Sequence, residues 1–279
     1  MTGFSPAWLA LRETADVAAR NGAVLSACAR VFDSQESLDI CDLGAGTGAS
    51  VRAFADRLPP IQRWTLVDHD RENLRAAEAA LSTWADSAAT AGDTLTLRRG
   101  SRRLEIRMRV HDLAANPVCW PARTGLVTAS AFFDLVSAAW ITELTAALHA
   151  EKIALLATLT ADGGIVCLPP HPLDEKVIAA FCRHQMGDKG FGPAAGPAAA
   201  RHLEAALEAR GYVLTTGDSP WALTHATDAL LKELVTGMAG AVTETGAVDA
   251  AELTEWLKHR RGEGQRLTIG HRDVFARPG

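Results

Sequence analysis

A glycine-rich turn that follows a short apolar strand constrains the fold of this chain more than any other feature. Residues 38–43 are largely apolar, as in a buried strand, and residues 44–48 read Gly-Ala-Gly-Thr-Gly. Glycine has no Cβ, so the backbone of such a turn can come close to a bound nucleotide. The amphipathic segment after the turn predicts a helix whose N-terminus faces the same ligand. This order of elements predicts a doubly wound α/β fold with a nucleotide-like cofactor at the turn.

The acid in front of the turn helps to identify that cofactor. Gly44, Gly46 and Ala49 also satisfy the dinucleotide pattern G-x-G-x-x-A, so the glycines alone leave the cofactor open. Asp42 lies two residues before the first glycine. A carboxylate in this position suits an amino group and repels a pyrophosphate. The sequence therefore favours a cofactor with a cationic part.

Two further acids follow the next predicted strands. Residues 63–67 are predicted to form the second strand, and Asp68 ends it about twenty residues past the turn, the spacing of a ribose-binding acid. Residues 104–110 alternate apolar and polar side chains, as a strand does, and Asp112 follows them. The three acids thus arrive in order, each at the end of a predicted strand.

With these motifs, the chain resembles the class I S-adenosylmethionine (SAM)-dependent methyltransferases over residues 36–170. The resemblance implies a Rossmann-like, mostly parallel sheet with an antiparallel last strand, SAM as cofactor and S-adenosylhomocysteine (SAH) as product. It also implies that Asp68 binds the ribose and that Asp112 lies near the adenine. The positions that this resemblance assigns to the cofactor are Asp42, Gly44, Ala45, Gly46, Gly48, Asp68, His69, Asp112, Leu113, Ser130 and Arg20.

The expected organisation is one structural domain with additions at both ends. Residues 1–36 are predicted to form a helical cap or lid, and residues 37–279 the SAM-binding domain, with extra helices at about 173–262. Arg12, Asp16 and Arg20 are spaced to share one helix face. They can form a lid whose arginine meets the SAM carboxylate, or a solvated ladder of ion pairs. The extra helices can cover the cofactor crevice or form a homodimer interface.

Candidate catalytic residues follow the fourth and fifth predicted strands, because strand ends open onto the crevice. The fourth strand is predicted at 126–130 and leads to Asp134. The fifth is predicted at 163–168, entered by an Asp-Gly-Gly turn, and leads to His171. Either side chain is a candidate to orient the acceptor or remove its proton, although His171 also fits a rigid loop with an exposed histidine. The candidate acceptor-binding residues, some from a glycine-rich loop predicted to act as a lid, are Phe132, Phe133, His184, Lys189 and Phe191.

Composition limits the partners and the compartment. The net charge of −5 and the pI near 6.0 argue against a general nucleic-acid binder, although six arginines lie within residues 98–109. That run favours a solvated hairpin face over an RNA-binding strip. The five cysteines show no metal-ligand spacing, so we predict no metal and a reducing cytoplasm. No signal peptide or membrane span is predicted, and the excess of arginine and alanine suggests a GC-rich bacterial genome.

Several functions fit these motifs. The ordered acids and the low net charge favour transfer of a methyl group from SAM to an oxygen, nitrogen or carbon atom of a small molecule. An RNA or protein methyltransferase with the same fold is the alternative, and the basic hairpin supports it. A NAD(P)-dependent reductase needs a pair such as Tyr-x-x-x-Lys, whereas the single tyrosine, Tyr212, precedes Thr216 at that spacing. A non-catalytic protein with a SAM-binding fold stays open.

Overall fold

The computed structural model describes residues 4–279, which form a mixed α/β fold around one large sheet. Residues 1–3 of the predicted cap lie outside the described residues. In chain order, the strands are β1 (Ser37–Leu43), β2 (Ile61–Asp68), β3 (Ser87–Ala91), β4 (Thr94–Arg99), β5 (Arg102–Val110), β6 (Leu126–Ser130), β7 (Ala154–Leu168), β8 (Tyr212–Asp218), β9 (Trp221–Leu223) and β10 (Arg266–Pro278).

The order of the strands confirms the predicted doubly wound sheet. Across the sheet it is β3-β4-β5-β2-β1-β6-β7-β10-β8, and the short β9 pairs with β10. The five strands from β5 to β7 in this order are parallel to one another. β10 runs antiparallel between β7 and β8, as predicted for the last strand. The parallel strands bring their carboxyl ends to one edge, which is where ligands bind in such sheets.

Helices cover both faces of the sheet. In chain order, they are α1 (Pro6–Ala19), α2 (Gly22–Phe32), α3 (Ala49–Phe54), α4 (Arg71–Trp84), α5 (Ala138–Glu151), α6 (Asp174–Gln185), α7 (Ala199–Glu208), α8 (Asp228–Thr245) and α9 (Ala250–Arg260). One buried cluster joins α2, α3 and α4 to the sheet around Trp64, and another joins α5 and α7 to the sheet around Phe133. Within residues 4–279, none of these helices has the length and apolar character that crossing a membrane requires.

The fifth core strand differs from its sequence prediction. Instead of starting at Gly163, β7 begins at Ala154 and continues through the Asp-Gly-Gly turn. Residues 154–160 are all buried, as in the interior of a parallel sheet, and only the second half of β7 alternates. The positive φ of Gly163 and two shifts in the β7–β10 register accommodate the extra length. Because β7 extends past its pairing with β6, it carries His171 away from the carboxyl edge of the central strands.

Two helix boundaries and one edge strand complete this part of the fold. α4 stops at Trp84, because the next residues form β3. α8 begins at Asp228, after a 3-10 turn, and continues to Thr245. β3 consists of small, uncharged side chains that are all exposed, so its sequence has no hydrophobic alternation that could reveal a strand.

A buried carboxylate connects the long β7–β10 hairpin to the N-terminal helices. Asp273 in β10 is fully buried and accepts hydrogen bonds from three donors. These are the backbone N–H of Leu159 at 2.7 Å, the hydroxyl of Ser219 at 2.6 Å and the backbone N–H of Asn21 at 2.8 Å. Asn21 is the N-cap of α2, so this one side chain fixes a helix start, a strand bend and a loop together.

We expect Asp273→Ala to lower the free energy of unfolding by roughly 3–5 kcal/mol, because three buried donors lose their acceptor. Urea denaturation measures this change. Asp218→Ala is the matched control, since Asp218 is the exposed partner of Arg272 on the neighbouring strand. It should change stability by no more than about 0.5 kcal/mol. Similar losses in the two variants would contradict the role given to Asp273.

Candidate functional site

A cavity of about 490 Å³ lies at the carboxyl ends of the central strands. Its floor is formed by residues 44–47 of the glycine turn and by Asp68 at the end of β2. Residues 111–114 and 130–132, which follow β5 and β6, form its sides. α1 and residues 189–191 close it from above. The cavity therefore lies where a doubly wound sheet binds its ligand.

Two positions in the turn after β1 favour glycine. Gly44 and Gly46 have φ values of +63° and +52°, in the left-handed region. A Cβ on Gly44 would lie 2.7 Å from the ring of Phe132, and one on Gly46 would lie 2.9 Å from the side chain of Leu9. The two glycines thus allow both the backbone conformation and the close packing of the cavity walls.

Asp68 holds this turn against the end of β2. Its Oδ2 accepts a hydrogen bond from the backbone N–H of Gly46 at 2.8 Å, and its Oδ1 accepts one from Asp70 at 2.9 Å. The side chain is buried yet lines the cavity. Each carboxylate oxygen can accept further hydrogen bonds, so Asp68 can bind the hydroxyls of a ligand while it holds the turn. His69 lies beside it, with Nδ1 at 3.4 Å from Asp68 Oδ1.

Asp42 lies beneath the turn rather than in the cavity wall. It is only 1% exposed, and its Oδ1 accepts a hydrogen bond from the Thr128 hydroxyl at 2.6 Å. Its buried Oδ2 has no partner among the described residues. Burial raises the pKa of Asp42 to about 7, although the hydroxyls of Thr128 and Ser50 and the charge of Arg20 act in the opposite direction. A positive charge bound above the turn would favour its ionised form.

Arg20 is buried beside the end of β6. Its Nη2 donates a hydrogen bond to the Ser130 hydroxyl at 3.4 Å, and its guanidinium lies 5.4 Å from the centre of the Phe54 ring. Its Nε and Nη1 are buried without a partner among the described residues. Burial lowers the pKa of Arg20, while Asp16 and Asp273 partly restore it. Free guanidinium donors at this place suit an anionic group.

The other members of the N-terminal set are also buried, so they do not form a solvated ladder. Arg12 and Asp16 are 8% and 5% exposed and form an ion pair of 3.1 Å. Asp16 also accepts a hydrogen bond from the indole of Trp221 at 3.0 Å, and the Arg12 guanidinium lies 4.8 Å from the centre of that ring. Both residues line the cavity. Their helical spacing was visible in the sequence, but the contact with Trp221, which is distant in sequence, was not.

An aromatic cluster forms the side of the cavity at Leu113. Phe132, Trp140 and Phe191 meet edge to face, with ring centres 5.5–5.8 Å apart. The indole of Trp140 donates a hydrogen bond to the carbonyl of Leu113 at 2.7 Å. Asp112 accepts a backbone hydrogen bond within the same loop. Trp140 on α5 is therefore both a buried core residue and a support of the cavity wall.

The predicted lid is a compact turn at the mouth of the cavity. A bridge between Asp188 and Pro193 closes it, and the Asp188 carboxylate accepts a hydrogen bond from the backbone of Gly190 at 2.7 Å. Lys189 and Phe191 line the cavity. The turn therefore presents one charged and one aromatic side chain to the ligand.

Seven predicted site residues are not among those that line the cavity: Asp42, Gly48, Arg20, Asp134, Phe133, His171 and His184. His171 lies beyond the end of β7, where its ring is 4.9 Å from that of His259 and its Nδ1 accepts a hydrogen bond from the backbone N–H of Leu173 at 3.2 Å. His184 on α6 contacts Glu244 at 3.0 Å. Phe133 is fully buried in the core. The position of His171 does not support a catalytic role, because the true start of β7 lies earlier than predicted.

Asp134 lies in a 3-10 turn after β6, between the cavity-lining residues Phe132 and Leu135.

Within residues 4–279, no group of three or more histidine, cysteine or acidic side chains is arranged to hold a metal ion.

Comparisons with known proteins give matches only among solved structures. No model of a protein family matches the sequence, and no curated protein does. A cyclopropane synthase from Mycobacterium tuberculosis is 14% identical, with a TM-score of 0.48 over 91% of this chain and 83% of that chain. The phosphoethanolamine N-methyltransferase 2 of Haemonchus contortus, in complex with SAH, is 11% identical, with a TM-score of 0.48 over 100% of this chain and 59% of that chain. A geranyl diphosphate methyltransferase in complex with SAM is 10% identical, with a TM-score of 0.41 over 90% of this chain and 85% of that chain.

Because these identities and TM-scores are low, no conclusion rests on the comparisons alone. The strand order is independent of them. The five parallel strands follow the doubly wound order, and β10 then enters antiparallel between β7 and β8. The described chain therefore has a Rossmann-like, mostly parallel sheet with an antiparallel last strand, as the resemblance to the class I SAM-dependent methyltransferases implied.

Proposed function

We propose that the protein is a SAM-dependent methyltransferase that acts on a small molecule. One observation carries this proposal. The glycine turn, Asp68 and Asp112 surround a single cavity at the ends of three neighbouring strands, with Asp42 buried beneath the turn. Asp68 can accept hydrogen bonds from the ribose of SAM, and the backbone of the glycine turn can approach its methionine part. The ionised form of Asp42 can supply negative charge below its ammonium group.

The unpaired atoms of the site fit the cofactor. Asp68 has capacity to accept the two ribose hydroxyls, and Asp112 with Leu113 lies where the adenine would sit. The unpaired donors of Arg20 suit the SAM carboxylate, and the unpaired oxygen of Asp42 supports the ammonium group from below the turn. A nicotinamide dinucleotide fits less well, because Asp42 would repel its pyrophosphate.

When bound, SAM supplies a methyl carbon that is already electrophilic because it is attached to a sulfonium. The chain therefore has to orient an acceptor in line with the carbon–sulfur bond, roughly 3–3.5 Å from the methyl carbon. Phe132, Phe191 and Leu9 of α1 line this region with apolar surface, from which a bound acceptor would displace water. Lys189 and Arg12 provide positive charge at the mouth and at the helix wall.

The size of the cavity supports a small acceptor. Cofactor and acceptor have to share about 490 Å³ beneath α1 and the turn at 188–193. The basic hairpin offers less free charge than its sequence suggests, because several of its arginines lie near acids. Arg102 lies 3.9 Å from Asp56, and Arg103 lies 2.8 Å from Glu105. A salt-dependent affinity for tRNA would favour the RNA alternative.

Loss of the Asp68 carboxylate tests the cofactor assignment. We expect the wild type to bind SAH with micromolar affinity, and Asp68→Asn to bind it roughly a hundredfold more weakly, because hydrogen bonds to a charged acceptor are lost. Isothermal titration calorimetry with SAH and NADH measures both. Asp70→Asn, which changes an exposed helix cap on the same loop, is the matched control and should retain most of the affinity. Binding of NADH without SAH would refute the proposal.

The affinity for SAH should also depend on pH through Asp42. Its pKa near 7 means that binding of an ammonium group has to displace a proton at lower pH. We expect the affinity to be complete above the pKa and to fall below it by up to about tenfold per pH unit. In Asp42→Asn the affinity should be low and this dependence absent, which separates Asp42 from the cavity histidines His69 and His111.

Thermal melting of the empty protein controls for damage to the fold. Burial raises the pKa of Asp42 from its ordinary value of 3.8 to about 7, so this group lowers stability as the pH rises from about 4 towards 7, and the loss is complete above 7. Asp42→Asn should therefore melt no lower than the wild type at pH values of about 8. If the affinity of Asp42→Asn for SAH kept the pH dependence of the wild type, Asp42 would not be the group that interacts with the ammonium of the ligand.

A further inference from the structure

We infer that the protein has a second binding site, which takes a small carboxylate with a short aliphatic chain. The site is a cavity of about 230 Å³ between α2 and the last two strands of the sheet, β10 and β8, and we call it the edge cavity. It shares no lining residue with the larger cavity described above. The inference is carried by the geometry of the edge cavity, its apolar side chains and its two arginines, and it does not depend on the proposed function.

The strand register brings four side chains to the sheet side of the edge cavity. Phe275 in β10 pairs with Thr215 in β8, and Arg277 pairs with Val213. Paired residues of antiparallel strands point to the same face of a sheet, and so do residues two apart along one strand. The four side chains therefore lie on one face, and α2 packs over that face against both strands.

Four apolar side chains give the edge cavity a surface that an aliphatic group can cover. Ala27 and Phe275 are buried, whereas Val31 and Val213 are 37% and 46% exposed. At roughly 30 Å³ for each water molecule, the volume corresponds to about eight waters, so a ligand with a similar number of non-hydrogen atoms has room. An aliphatic chain of this size would remove part of the two valines from water, which favours binding.

Two arginines line the same cavity without an acidic partner. Arg30 lies in the last turn of α2, and no ion pair or hydrogen bond joins its side chain to any residue from 4 to 279. Arg277 forms only a hydrogen bond of 3.3 Å from its Nη1 to the carbonyl of Pro278. Arg272, on the same strand, differs because it is paired with acids on α7 and β8. Two uncompensated positive charges at one cavity repel each other, and a bound anion removes this repulsion.

A short-chain carboxylate satisfies both features of the edge cavity. Guanidinium groups bind carboxylates through paired N–H donors, so the charged end would lie at Arg30 and Arg277. The aliphatic part would then lie against Val31 and Val213. Inorganic phosphate would interact with the arginines but would leave the two valines exposed. The formal net charge of −5 repels anions from the protein as a whole, so binding at this place would require the two arginines.

Hexanoate, which has eight non-hydrogen atoms, tests the inference. We expect it to bind with submillimolar affinity and to shift the backbone amide signals of residues 27–31 and 213–215 in two-dimensional NMR titrations. Hexanamide has the same shape without the charge and should bind roughly tenfold more weakly. Butyrate keeps the charge but has two methylene groups fewer, so it should bind roughly fivefold more weakly.

Substitution of the arginines tests where the carboxylate lies. Arg30→Gln and Arg277→Gln should each weaken hexanoate binding roughly tenfold, because a charged donor is lost. Both side chains are exposed, so neither substitution should lower the melting temperature. Arg266→Gln is the matched control, since Arg266 is an exposed arginine on the same strand that does not line the edge cavity. This control should keep the wild-type affinity.

Each contrary result would overturn the inference. Hexanoate might leave the signals of residues 27–31 and 213–215 unchanged, or shift only those of residues 44–47 in the larger cavity. Equal affinities for hexanoate and hexanamide would show that charge is not recognised, and equal affinities for hexanoate and butyrate would show that the chain is not. Affinity that survives both arginine substitutions would exclude the assigned contacts. None of these results depends on SAH, so a failure of the proposed function would be seen separately.

Discussion

The hydrogen bond between Asp68 and the backbone of Gly46 is the interaction on which the cavity depends. It joins the end of β2 to the turn after β1 and keeps that turn in a conformation that only glycine adopts without strain. The same carboxylate also accepts a hydrogen bond from the backbone N–H of Asp70, in the loop that follows β2. A side chain that holds the turn and also faces the cavity couples the stability of the turn to ligand binding.

Near this turn, two buried charged side chains have polar atoms without a hydrogen-bond partner. Asp42 and Arg20 are both buried, and each retains a polar atom that no described residue satisfies. The pKa of Asp42 is raised and that of Arg20 is lowered, so burial destabilises the charged form of both. A ligand with an ammonium group and a carboxylate would satisfy both residues at once. We regard this pair as the strongest electrostatic argument for an amino-acid moiety in the ligand.

The opposite wall is built by parts of the chain that are distant in sequence. Asp273 joins β10 to the bend of β7 and to the start of α2, and this arrangement positions α1 over the cavity. Arg12 and Asp16 on α1 then meet Trp221 on β9. The cavity wall formed by α1 therefore depends on the extended β7–β10 hairpin, whereas the opposite wall is formed by the loops that follow the parallel strands.

The sequence by itself determined the fold class and the side of the cavity that the glycine turn and the strand-end acids form. Gly44, Asp68 and Asp112 lie at fixed distances from predictable strand ends, and parallel strands bring such ends to one edge. Only the tertiary structure decided the wall that α1 forms. His171 lies outside the cavity because β7 starts at Ala154 and continues beyond the strand that pairs with it, β6. Trp221 packs against Arg12. Local patterns encode strand ends, but contacts between distant segments depend on how the hairpin bends and packs, which no local pattern records.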